Sequence, residues 1–60
     1  MLVKEIALFQ PGDLLAGVGI VVACTTEYIY VRDESNTVYA HFWQAHLDLI
    51  GGLEVRRPNV

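Results

Sequence analysis

The sequence predicts an all-β domain of five short strands with one brief helical turn before the last. Three observations point there. The stretch Gly17 to Arg32, GVGIVVACTTEYIYVR, is the densest run of β-branched and aromatic residues in the chain, and such side chains suit a pleated, half-buried surface better than a helix. Clusters of turn formers break the apolar runs at Gln10–Asp13, Thr25–Glu27 and Asp33–Asn36. After Phe42 the hydrophobic period lengthens from two to that of a helix.

The elements follow in order. Met1 to Phe9 is apolar with Lys4-Glu5 in its middle, and a strand is expected from Leu2 to Leu8. Gln10-Pro11-Gly12-Asp13 punctuates the chain, because proline fixes φ and glycine is free to make it positive. Gly17 and Gly19 open the next strand, where a bulge or sharp bend is expected. Thr25 to Glu27 is short enough to demand a hairpin. A two-residue loop at Thr26-Glu27 sets Val22 against Val31 and Cys24 against Ile29, with Ile20, Val22 and Cys24 inside; a three-residue loop would reverse the faces. The first is preferred because it buries more.

Asp33-Glu34-Ser35-Asn36 then separates YIYVR from TVYAHF. A four-residue loop there pairs Arg32 with Thr37, Val31 with Val38, Tyr30 with Tyr39, Ile29 with Ala40 and Tyr28 with His41. Strand alternation places Ile29, Val31, Val38, Ala40 and Phe42 on a core face, with Tyr28, Tyr30, Arg32, Tyr39 and His41 on the opposite one. Beyond Phe42, the spacing of Trp43, Leu47 and Ile50, and of Phe42, His46 and Leu49, reads as one to two helical turns stopped by Gly51-Gly52. The Trp43 row is expected to cap the core. Leu53 to Arg57, LEVRR, supplies a short last strand before Pro58.

This order of elements, with Pro11-Gly12-Asp13 leading into a Gly-Ile-Val-Val strand, resembles the SH3-like small barrels, including modules of the KOW type. The resemblance covers most of the chain and implies a five-stranded SH3-like barrel spanning residues 1–60 as one domain. It leaves function open, since no acidic loop or aromatic ladder of a peptide-binding SH3 domain is recognisable.

Composition narrows the function classes. Hydrophobic residues make up 53% of the 60, charged residues 18%, against roughly 45–50% and about 25% in a typical soluble domain. A domain this small has one small core and, with Cys24 its single cysteine, no internal disulfide. Some of the apolar surplus is therefore expected to be covered by a protein partner, a second copy included. The net charge of −3, with only Lys4, Arg32, Arg56 and Arg57 as strong bases, argues against a stand-alone nucleic-acid binder and against an anionic membrane surface. The apolar run Leu14 to Cys24 is about half the length that spans a bilayer. Val21-Val22-Ala23-Cys24 resembles the lipobox of bacterial lipoproteins, but Glu5 and the Pro11-Gly12-Asp13 break contradict a signal. A lone thiol fits a reducing, cytoplasmic setting.

No catalytic residue, metal site or cofactor is assigned. His41 and His46 offer only the His-x₄-His half of a zinc pattern, with Cys24 and Asp48 at unhelpful spacing. Cys24 sits in an apolar run where a thiol behaves as a small hydrophobe, and the carboxylates are scattered or in turns. The residues expected to bind a partner are Tyr28, Tyr30, Tyr39, His41 and Trp43, because tyrosine and tryptophan bury large area while keeping a polar handle. The sequence thus predicts a non-enzymatic protein-binding module or accessory subunit that self-associates. The alternatives are a KOW-type nucleic-acid-associated barrel and an enzyme whose site, lined by His41, Tyr39 or Asp48, is assembled across subunits of a symmetric oligomer.

Overall fold

The turn at Gln10–Asp13 ties the two ends of the chain together. In the computed structural model, which describes residues 1–58, Asp13 is fully buried and its carboxylate receives Arg57 Nε at 2.8 Å and Nη2 at 2.9 Å. The Gln10 N–H also donates to Asp13 Oδ2 at 2.9 Å, while Arg57 Nη2 reaches the Leu8 carbonyl at 3.0 Å. A buried carboxylate without such partners would be strongly unfavourable. Here Gln10 closes the turn on itself and Arg57 ties it to the far end of the described chain.

The chain is mostly β, with two antiparallel sheets and one short α-helix among the described residues. The strands are β1 (Leu2–Val3), β2 (Leu14–Leu15), β3 (Gly19–Cys24), β4 (Tyr28–Arg32), β5 (Val38–Trp43) and β6 (Leu53–Glu54); the helix α1 is Gln44–Ile50. β1 pairs with β6, and β2, β3, β4 and β5 form a four-stranded meander in that order. A bridge between Leu14 and Arg56, with two reciprocal N–H to carbonyl bonds of 2.9 Å, joins the sheets. Six strands are therefore present among the described residues where five were expected; the extra one is β2, a two-residue return.

The first expected strand stops early. After Val3 the backbone leaves the sheet because the Gln44 side chain takes its place as partner: Gln44 Nε2 donates to the Lys4 carbonyl at 2.8 Å and Oε1 accepts the Ile6 N–H at 2.9 Å. Ile6–Leu8 then forms a single 3₁₀ turn that buries Ile6. The last strand is likewise shorter than LEVRR, with only Leu53–Glu54 in β6 and Arg56 in the isolated bridge.

The β3–β4 hairpin turns as expected, with Thr25 N–H donating to the Tyr28 carbonyl at 2.9 Å and Cys24 opposite Ile29. A bulge at Val22 then shifts the register, so that Val21, not Val22, faces Val31. Val21 is buried, Val22 is half-buried and Ile20 is 46% exposed. One inserted residue has switched faces midway along the strand.

The β4–β5 register also departs from expectation, by one residue. Thr37 belongs to the loop: Asp33 Oδ1 accepts the N–H groups of Ser35 and Thr37 at 3.0 Å each, and Asp33 N–H donates to the Thr37 carbonyl. Val38 therefore pairs with Arg32, Tyr39 with Val31 and Ala40 with Tyr30. A second bulge, at His41, widens the departure to two residues, setting Phe42 opposite Ile29 and Trp43 opposite Tyr28 in place of the expected Ala40 and His41. Val38 and Ala40 are consequently exposed and not in the core.

The core gathers one or two residues from each element: Val3, Ile6, Phe9 and Leu15, then Val21, Ile29, Val31 and Phe42, closed by Leu47 and Val55. Of the row Trp43, Leu47 and Ile50, only Leu47 is buried, so the expected cap is a single side chain. Gly51, at φ 82°, ends α1 in the left-handed region, and the N–H groups of Gly51 and Gly52 both donate to the Leu47 carbonyl at 2.9 Å.

Gly19 is required where β3 begins. Its φ is 149°, and a Cβ there would lie 2.2 Å from the Arg32 carbonyl oxygen, a backbone atom that cannot give way cheaply. Gly19→Ala is expected to destabilise the fold by roughly 2–4 kcal/mol through strain and overpacking. Urea denaturation followed by circular dichroism checks this, and an unchanged midpoint would contradict it.

Candidate functional site

Strand β5 is a sheet edge that pairs with β4 alone, and it runs directly into α1. Aromatic and imidazole rings follow one another along this path. Tyr39 lies 5.4 Å from His41 between ring centroids, His41 4.6 Å from Phe42, Phe42 5.1 Å from His46, and His46 5.7 Å from Trp43. Tyr28, opposite Trp43 across β4 and β5, meets its ring edge-on at 6.5 Å. Four of the five expected binding residues, Tyr28, Tyr39, His41 and Trp43, belong to this row, together with Phe42 and His46. Tyr30 does not.

The three tyrosines do not share one face, because the one-residue shift separates them. Tyr28 and Tyr30 stand on the outer face of the sheet, whereas Tyr39 pairs with Val31 and lies at the rim of the core face, 40% exposed. Its hydroxyl donates to Asp33 Oδ2 at 3.2 Å. Partial desolvation, followed by that hydrogen bond to an anion, holds the Tyr39 phenol above its ordinary value of 10.0. Asp33 in turn is held below 3.8, first by the Ser35 hydroxyl and then by the Thr37 N–H. Tyr39 is thereby fixed to the turn that sets the register.

The outer face carries a feature that alternation on the expected register conceals. Cross-strand pairing lines up Leu14, Ile20, Arg32 and Val38 in one row, and Ala23, Tyr30 and Ala40 in the next, with Tyr28 and Trp43 beyond. Leu14, Ile20 and Val38 are 41%, 46% and 46% exposed, and Trp43 is 51%. Arg32 is the one charged residue among them. Adjoining this face is an open groove of about 700 Å³, whose walls are the Leu14 to Ile20 segment on one side and Arg32 to Ser35 with Tyr39 on the other.

No protein-family model, curated protein or solved structure matches the chain.

His41 and His46 stack on the Phe42 ring and do not converge with other ligands. Cys24 Sγ donates to the Phe9 carbonyl at 3.4 Å and Asp48 Oδ1 accepts from Gln44 Nε2 at 2.8 Å, each away from the ring row. Among the described residues no three His, Cys, Asp or Glu side chains are grouped to hold a metal ion, and no helix is long and apolar enough to cross a membrane. Neither imidazole hydrogen-bonds a hydroxyl or thiol among the described residues. What this arrangement offers chemically is apolar and aromatic area with one cation in it, a composition typical of binding hot spots. Sequence reasoning missed Leu14, Ile20 and Val38, whose outward direction depends on two bulges and a loop length.

Proposed function

We propose that the protein is a non-enzymatic protein-binding module or accessory subunit that self-associates, working in a reducing, cytoplasmic setting that suits its lone thiol. Its scaffold is read as a small SH3-like barrel. The bridge between Leu14 and Arg56 supports that reading, because it continues the hydrogen bonding from β6 into β2 and so from one sheet to the other.

The observation that carries the functional reading is the exposed outer face of the four-stranded sheet. Leu14, Ile20, Val38, Tyr28 and Trp43 are all more than a third exposed, in a chain whose core is ten residues. Each large apolar side chain left in water forgoes about 1.5–3 kcal/mol. Covering several of them at once offsets the cost of association. Contiguous patches of this kind mark interaction surfaces.

Sedimentation equilibrium over a hundredfold range of micromolar concentrations tests the proposal. Species heavier than the 6.7 kDa chain are expected to grow with concentration, whereas a single 6.7 kDa species throughout would refute self-association.

A further inference from the structure

We infer that two copies of the chain pack outer sheet face against outer sheet face about a twofold axis that sets Arg32 of each copy against Glu34 of the other. The inference rests on the self-association proposed above and names the surface that performs it.

Arg32 is exposed in the middle of the row Leu14, Ile20, Arg32 and Val38. Among the described residues its guanidinium makes neither an ion pair nor a hydrogen bond, unlike Arg57, which is held by Asp13. A purely apolar occupant would bury that cation unpaired, at a cost that the burial of its neighbours would struggle to offset. The occupant must bring a carboxylate to an otherwise apolar surface. This chain supplies one two residues further on: Glu34 is exposed, and among the described residues its carboxylate has no partner, whereas that of Asp33 is taken up by Ser35, Thr37 and Tyr39. Arg32 and Glu34 line the same open groove, yet they form no ion pair with each other.

A closed twofold contact is self-complementary: if one residue meets another across it, the reverse contact forms too. A cation and an anion that line one groove are therefore satisfied twice by a second copy.

Charge-swap variants decide the matter, read by sedimentation equilibrium with circular dichroism to confirm folding, which the exposure of both side chains favours. Arg32→Glu and Glu34→Arg are each expected to raise the dimer dissociation constant at least about tenfold, by setting like charges face to face, and the double variant to restore it to within about threefold. Val38→Lys should weaken the dimer without unfolding the chain. A dimer that forms normally in the single variants, or one that the double variant fails to restore, would overturn this interface and leave self-association standing. A wild-type chain that stays monomeric would overturn both.

Discussion

Val31→Asp is expected to leave the chain unfolded at 25 °C. Val31 is 0% exposed, pairs with Val21 on one side and Tyr39 on the other, and lies in an inner strand of the meander. Losing its burial costs about 1.5–3 kcal/mol. Lodging an aspartate there adds several more, because the side chain would enter a cluster of buried hydrophobic residues. The total stability of sixty residues is only about 3–9 kcal/mol. The informative companion is Val38→Asp. On the register of the structure Val38 is 46% exposed, so this variant should fold, with a stability change within about 1 kcal/mol. Circular dichroism with urea titration separates the two, and a Val38→Asp chain that unfolds would overturn the register.

The pair Val31 and Val38 also shows where sequence reasoning reaches its limit. Composition and turn chemistry located β3, β4, β5 and α1 to within a residue or two, since these depend on local preferences: β-branched runs, Asp33 and Thr25 satisfying nearby N–H groups, and glycines at Gly51-Gly52. The facing of individual side chains depends on counting. Thr37 could close the loop or open the strand, and nothing in its identity distinguishes the two; only the folded geometry, with Asp33 Oδ1 binding three successive groups, places it in the loop. Bulges at Val22 and His41 carry no residue signature either, and each one reverses the faces that follow.

For the candidate site the consequence is specific. Of the aromatic residues singled out from sequence, Tyr28, Tyr39 and Trp43 gather around β5, without Tyr30, as a row of rings crossing from Tyr39 to Tyr28 and not as a flat tyrosine face. The aliphatic outer face was hidden because Leu14, Ile20 and Val38 look like core residues in any sequence. Long-range side-chain contacts were equally illegible: Gln44 holding Lys4 and Ile6 spans about forty positions, and no local pattern announces it.

Asp13→Asn is expected to destabilise the protein by about 3 kcal/mol. Removing one partner of a buried ion pair usually costs 3–5 kcal/mol, and the lower end applies because the Arg57 side chain is 29% exposed and can recover some solvation. The Arg57 hydrogen bonds hold the Asp13 carboxyl below its ordinary value of 3.8, with the Gln10 N–H adding to this against the opposing effect of burial. A carboxylate whose pKa falls on folding stabilises the native state fully above the unfolded value, so this contribution is complete above about pH 5 and is lost as the pH drops through 3.8 toward the lower folded value. The wild type should therefore lose stability steeply in acid, while Asp13→Asn, already lacking the contribution, should have a shallower slope below pH 4. Replacing both partners by apolar residues will not recover everything, because the Gln10 N–H bonded to Asp13 Oδ2 would be orphaned. Urea titrations from about pH 2.5 to 7 measure the slopes, and parallel curves for the two proteins would show that the buried pair does not hold the turn to the end of the chain.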